Sequence, residues 1–230
     1  MNDFALESMF FGVFLSLICY FIGMLLKKKL KLAIFNPLLI AIILVIIFLV
    51  IFKVDYTTYE QGSKYLSYFL TPATVALAIT LYEQITLLKK NWLAICVGIS
   101  SGVLTSLVSI FILAKIFSLS HEEFVTLLPK SITTAIGMDV SSILGGYVTI
   151  TVAVIIITGI LGAIIAPLVF KIFRITDPIA QGIALGTSAH AIGTSKAIEL
   201  GEIQGAISGL SIAVSGILTV ILASFFALLI

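Results

Sequence analysis

Charge is scarce in this sequence. Of 230 residues only 13 are Lys or Arg and 11 are Asp or Glu, whereas 60% are hydrophobic and the mean hydropathy is +1.26. That balance excludes a water-soluble globular domain. The formal net charge of +2 is too small to build a nucleic-acid surface, and the densest basic cluster, Lys27, Lys28, Lys29 and Lys31, sits between two apolar runs as a membrane flank does. No nucleic-acid partner is expected. The two cysteines, Cys19 and Cys96, lie inside apolar stretches with no CxxC spacing, which excludes a disulfide framework and a zinc-binding cysteine motif. Histidine is nearly as rare. His121-Glu-Glu-Phe-Val lacks the second histidine of an HExxH metal site, and the other histidine, His190, is far along the chain. Gly186-Thr-Ser-Ala-His is not a G-x-S-x-G nucleophile elbow, and residues two apart face different sides of a helix. A membrane aspartyl pair of Asp139 with Asp177 fails because Asp177 precedes Pro178 and reads as a cap. The chain reads as a non-enzyme that needs no cofactor and no metal.

What the sequence has in abundance is long uncharged apolar runs. A helix needs about 20 mostly apolar residues to span the hydrocarbon. Seven runs meet or approach that length: 8–26, 32–52, 65–82, 91–114, 140–170, 178–195 and 203–230. The expected fold is an all-α polytopic membrane protein with about seven spanning helices, occupying 1–230 as a single domain. Asp3 and Glu7 replace the basic start of a signal peptide, so the first run is read as a retained helix. Basic residues favour the cytoplasmic side of short loops, which places Lys27, Lys28, Lys29 and Lys31 inside and the N-terminus outside. The stretch 124–146 then decides the topology. If it crosses, Lys171 and Arg174 land outside and the bias nearly vanishes; if it enters and returns on the same side, both become cytoplasmic. The re-entrant hairpin is the preferred reading.

A re-entrant hairpin makes the second half of the chain run opposite to the first, and the sequence carries a faint echo of that. Thr71-Pro-Ala-Thr-Val-Ala-Leu-Ala-Ile-Thr-Leu-Tyr-Glu83 aligns without gaps to Thr187-Ser-Ala-His-Ala-Ile-Gly-Thr-Ser-Lys-Ala-Ile-Glu199, and Ser101-Gly-Val-Leu-Thr105 matches Ser215-Gly-Ile-Leu-Thr219. Two inverted halves, 1–116 and 117–230, are expected, an arrangement chiefly of transporters.

Three stretches place polar residues at depth. In the first, Pro72 removes a backbone donor inside an apolar run that ends at Glu83, so a break or kink is expected there; Pro37 is read as a break in the same way. The second, Leu128-Pro-Lys-Ser-Ile-Thr-Thr-Ala-Ile-Gly-Met-Asp139, is too polar for a lipid-facing helix. Pro129 suits the start of a half-helix, whose exposed N–H groups attract anions, and Lys130 adds a full positive charge. The third, 182–202, repeats Gly-Thr-Ser at Gly186 and Gly193 around His190 and carries Lys196. Burying that lysine in hydrocarbon costs roughly 2.5 to 3.5 kcal/mol on insertion scales, so a partner is expected, and Glu199 stands three residues on along one helix face. The binding site read from these stretches joins Lys130 or Lys196, holding an anion, to His190 and to hydroxyls of Ser131, Thr133, Thr134, Thr187, Ser188 and Thr194. His190 and Asp139 are the candidates for a coupled proton, with Glu83 and Glu199 as further membrane carboxylates.

The motifs Asn36-Pro-Leu-Leu-Ile, Thr71-Pro-Ala-Thr-Val-Ala-Leu-Ala, Leu128-Pro-Lys-Ser-Ile-Thr-Thr-Ala-Ile-Gly-Met-Asp-Val and Gly186-Thr-Ser-Ala-His-Ala-Ile-Gly-Thr-Ser-Lys-Ala resemble the LrgB/CidB membrane family over nearly the whole chain. Ala135 and Asp139 stand where that family more commonly has Pro and Glu. The resemblance implies a bacterial cytoplasmic membrane protein of one of two kinds. One is a carrier of small carboxylates such as glycolate, glycerate, lactate or pyruvate, as in the related plastid glycolate/glycerate exchanger. The other is an antiholin-like regulator of murein hydrolase activity and cell lysis. It also implies a small holin-like partner of the LrgA/CidA type. A homo-oligomer is expected as well, and the spacings Gly98/Gly102, Gly182/Gly186, Gly201/Gly205 and Gly205/Gly209 allow close helix contact within or between subunits.

Overall fold

The structure is a computed structural model that describes residues 10–30 and 35–230, with backbone only for Leu70, Thr71, Thr74, Leu77, Thr80 and Leu81. Asp3, Glu7 and Lys31 lie outside the described residues. Among the described residues every element is helical. The chain divides into two compact units, residues 1–76 and 77–230.

The first unit holds α1 (Phe11–Leu30), α2 (Pro37–Phe52), α3 (Tyr56–Ser63) and a 3-10 helix (Lys64–Phe69). Helices α1 and α2 form an antiparallel pair whose core is Leu15 and Cys19 against Ala41 and Val45, with Phe11 on Phe48 at 6.0 Å. Helix α3 joins α1 through a Ser16 to Tyr59 hydrogen bond of 2.8 Å. The last turn of α1 carries Lys27, Lys28 and Lys29, where positive charge complements the helix carbonyl end. Pro37 does not break a helix. It opens α2 at the first position, where its missing N–H costs nothing, and the Asn36 side chain accepts from Leu38 and Leu39.

Helix α4 (Leu70–Glu83) crosses the boundary between the units, and α5 (Ile85–Lys90) follows in the second. The run 65–82 is therefore divided between a 3-10 helix and a 14-residue α-helix, with Pro72 in the first turn of α4 rather than in its middle. The interruption precedes the proline, because a missing N–H is tolerated in a first turn.

The rest of the second unit is α6 (Trp92–Phe117), α7 (His121–Leu127), α8 (Thr134–Ile143), α9 (Val148–Ile172), α10 (Pro178–Leu200) and α11 (Glu202–Ala227). Helix α6 runs from one end of this bundle, the near end, to the other. At the far end Ser120 caps α7 with a full capping box, and His121 Nδ1 lies 3.0 Å from the carbonyl of Ile230. Helix α7 then descends, its Phe124 and Val125 fully buried, to a turn in which Lys130 meets Ser106, midway along α6. Helix α8 returns. The next residues reach Thr126 again: Tyr147 N donates to its Oγ1 at 2.7 Å, and Thr151 Oγ1 donates to its carbonyl at 2.9 Å. Helices α7 and α8 thus form a hairpin that enters and leaves at the same end of this unit's bundle. The half-helix starts at Thr134 rather than at Pro129, which occupies the preceding turn.

A second hairpin was not foreseen. Helix α10 contains one residue with non-helical dihedrals, His190 (φ 41°, ψ −135°), and beyond it the chain folds back. A Cβ on Gly193 would collide with the carbonyl of Leu185, eight residues earlier, which a straight helix would hold about 12 Å away. Ala197 shares a buried cluster with Leu185 and with Phe170 near the end of α9. The outgoing limb 178–189 and the returning limb 191–200 therefore both open at the near end, where Ala94 and Gly98 of α6 line one groove with Asp177 and Ala180. Gly186 and Gly193 are not the breaks. They flank the break at His190 and serve close packing, Gly186 against Ser208 and Ser211.

Helix α11 then runs from the near end to the far end, which is why Ile230 meets His121. A straight crossing by 178–195 would have put Ile230 at the opposite end. By length and composition, α1, α6, α9 and α11 are long and apolar enough to cross a membrane, and α2, at 16 residues, is a shorter apolar helix. Among the described residues four helices, not seven, are continuous and of spanning length.

Candidate functional site

The two hairpins meet on one stretch of α9. On one side, Gly137 in the first turn of α8 packs against the Ile155 side chain. On the other, His190 Nε2 lies 3.0 Å from the Ile155 carbonyl, and the ring rests on Gly159. The ring reaches that carbonyl only because residue 159 has no side chain: a Cβ there would sit 2.7 Å from Nε2. With the ring that close to a carbonyl, Nε2 carries the hydrogen and donates it. The N-terminal ends of α8 and of the returning limb of α10 thus converge on one turn of α9, and helix N-termini present unbonded N–H groups and partial positive charge.

Beside this junction lies a cavity of about 340 Å³. Lys130, Thr158 and Ser188 give it polar walls, and Leu161, Ile165 and Phe170 give it apolar ones. Lys130 comes from the turn between α7 and α8. Its ammonium donates to Ser131 Oγ at 2.9 Å and to Ser106 Oγ at 3.2 Å, and the two hydroxyls lie 3.3 Å apart. An ammonium has three donors. Two are spent on neutral hydroxyls, and among the described residues no carboxylate pairs with it. Ser106 lies 11 residues from the end of α6, about 16 Å along the axis, so the charge sits near mid-bundle.

Of the residues singled out by sequence, Lys130, Ser131 and Ser188 are brought together here, with His190 at the edge. Thr133 and Thr134 begin α8 half-buried, and neither hydroxyl has a hydrogen-bond partner among the described residues. Thr187 points the other way: its hydroxyl back-bonds to Ile183, and its side chain packs on Gly102. Thr194 is buried against Ser208 at 2.7 Å, a link between the returning limb and α11. Lys196 pairs with Glu199 at 2.9 Å, as the spacing predicts. That pair lies on the returning limb, and Lys196 does not line the Lys130 cavity. Asp139 is exposed on α8, and Glu83 is exposed at the end of α4.

Sequence reasoning missed Ser106, Thr158, Gly159 and Gly162. Ser106 is one of several hydroxyl residues on α6, and nothing local sets it apart. Gly159 and Gly162 left a signal, two glycines three apart in an otherwise β-branched apolar helix, where close backbone approach is the usual reason.

The model of the LrgB-like family matches residues 16–229. The antiholin-like protein LrgB of Bacillus cereus (strain B4264) is 39% identical over 218 residues, covering 94% of this chain and 95% of that protein. The antiholin-like protein LrgB of Bacillus anthracis (strain CDC 684 / NRRL 3495) gives the same identity and coverage. No solved structure matches the chain.

Proposed function

Because the chain belongs to the LrgB-like family, we propose that it is an antiholin-like protein of the bacterial cytoplasmic membrane that restrains murein hydrolase activity and lysis. The observation that carries this reading is the 39% identity, over nearly the full length of both chains, to proteins named antiholin-like. A small holin-like membrane protein and further copies of the chain are the partners this role calls for. In this reading the end of the second unit that gathers Lys89, Lys90, Lys171 and Arg174 faces the cytoplasm, and the basic last turn of α1 puts the N-terminus outside.

A second reading has its own observation in the cavity. A lysine deep in hydrocarbon costs roughly 2.5 to 3.5 kcal/mol and needs a counter-charge or water. Lys130 has two neutral hydroxyls instead, beside two helix N-termini that each favour an anion by up to about 2 kcal/mol. A small carboxylate completes that site, its oxygens on the third donor of the Lys130 ammonium and its short carbon body on the apolar wall. Carriage of such an anion is then the activity of the bundle. The inverted halves 1–116 and 117–230 expected from the sequence belong to this reading, since carriers are chiefly built that way.

The two readings separate in one pair of measurements. Cells lacking the chain are complemented with the wild type or with Lys130→Met, and autolysis and murein hydrolase activity are followed. The purified protein is reconstituted in liposomes and offered labelled glycolate, lactate and pyruvate. Restored restraint of lysis without saturable uptake supports a regulator alone. Saturable uptake lost in Lys130→Met establishes a carrier. Absence of both effects rejects both readings.

A further inference from the structure

The α10 hairpin is one wall of the Lys130 groove, and a hydrogen bond at its tip joins it to the opposite wall. Its outgoing limb supplies Ala184, Leu185 and Ser188 to the cavity that holds Lys130. The opposite wall is α9, from Thr158 near the tip to Phe170 near the open end, 12 residues or about 18 Å of helix. The cavity is thus a groove between hairpin and α9, with the uncompensated ammonium at its inner end. The base of the hairpin is bounded by Asp177-Pro178 and by Gly201. Its seam with α11 is close, with Gly182 on Ile207, Gly186 on Ser208 and Ser211, and Gly205 on Ile198, and hydrogen bonds of Thr194 to Ser208 and of Gln204 to Gln181 tie the hairpin to that helix.

The tip differs from the base. His190 is the one residue of the hairpin outside helical dihedrals, at positive φ in a conformation that costs a side-chain-bearing residue energy. Its ring is 3% exposed and donates to the Ile155 carbonyl through the gap left by Gly159. Ala189 beside it fits against Gly162 by the same device. An ordinary tight turn would place Gly at 190. A histidine there trades backbone ease for a polar link to α9, which is what a catch requires and a static turn does not.

We infer that the α10 hairpin is a latch over the Lys130 groove, closed by the His190 to Ile155 hydrogen bond and opened by lifting the tip off Gly159 and Gly162. The inference rests on the groove being the anion site, but its test does not use transport.

In a chain with Cys19→Ser and Cys96→Ser, a single reporter thiol is placed by Ala166→Cys on α9. That position is 8% exposed and packs against Leu185 and Ala197 of the hairpin. A second chain carries the thiol at Ala114→Cys on α6, 1% exposed in the main core and 12 residues beyond Gly102, the far limit of the groove that α6 shares with the hairpin. Modification by a water-soluble maleimide is timed in liposomes. His190→Gly and, separately, Gly159→Ala, whose methyl displaces the ring, are expected to raise the rate at residue 166 at least tenfold and to leave residue 114 unchanged. His190→Gln, which keeps a donor, is expected to restore part of the protection. Equal rates in wild type and both variants overturn the latch, and so does a parallel rise at residue 114, which would mean general loosening. Should neither variant fold, hydrogen exchange of the wild-type protein decides instead: the tip, residues 187–193, must open before 202–227, and simultaneous opening refutes the inference. Failure of uptake with the labelling result intact would reject the anion reading and keep the latch.

Discussion

Replacing Lys130 by Met separates function from stability more sharply than any other single change. Methionine has nearly the same length and volume, so the apolar stem of the lysine keeps its packing while the ammonium disappears. Two hydrogen bonds go with it, to Ser131 at 2.9 Å and Ser106 at 3.2 Å, each worth roughly 1.5 to 3 kcal/mol when the donor is charged. Against that loss stands relief of the roughly 2.5 to 3.5 kcal/mol that a lysine costs at membrane depth. The two hydroxyls, 3.3 Å apart, then bond each other. The terms nearly cancel, and the expected change in stability is within about 2 kcal/mol of zero. Anion binding has no such compensation. A carboxylate about 4 Å from the ammonium gains about 4 kcal/mol at an effective dielectric constant of about 20, which is about a thousandfold in affinity at 1.4 kcal/mol per decade. The assay is thermal unfolding of the detergent-solubilised protein with and without a series of small carboxylates. The wild type is expected to gain a concentration-dependent rise in melting temperature, and Lys130→Met to show the unliganded temperature at every concentration. An undiminished carboxylate-dependent rise in Lys130→Met would refute the placement of the anion on this lysine.

The other expectations concern the residues around it. Lys196→Ala removes one partner of an ion pair whose side chains are 24% and 46% exposed, so it is expected to cost less than about 1 kcal/mol and to leave carboxylate-dependent stabilisation intact; loss of that stabilisation would return Lys196 to the site. Ser208→Ala strands the buried Thr194 hydroxyl, 2.7 Å away, at a cost of about 1 to 3 kcal/mol, whereas Thr194→Val with Ser208→Ala is expected to recover most of it, a coupling that a double-mutant cycle measures directly. Gly186→Ala places a methyl 2.5 Å from the Ser208 carbonyl, and the resulting overpacking is expected to lower stability by about 1 to 3 kcal/mol, read as a fall in melting temperature.

The helices are written in composition. Runs of apolar residues with almost no charge have one stable answer in a bilayer, because every backbone N–H and C=O must be bonded within its own segment. The site was half legible. Lys130, Ser131 and Ser188 stood out because polar groups at depth need a reason. Pro37, Pro72, Gly186 and Gly193 were read as breaks from propensity alone, and the structure uses them as helix starts and packing surfaces. His190 makes the actual turn, and no propensity marks histidine for it; contact with α9 does.

By itself the sequence determined a membrane-embedded helical chain, its family and the polar stretches that matter, because hydropathy and motif are local properties. Tertiary structure alone decided that α10 folds back, that Lys196 is paired away from the cavity while Lys130 is not, and that Ser106, Thr158 and Gly159 complete the site. Those outcomes depend on which backbone a side chain meets from another helix, and glycine gaps such as Gly159 and Gly162 take their meaning only from the residue that fills them.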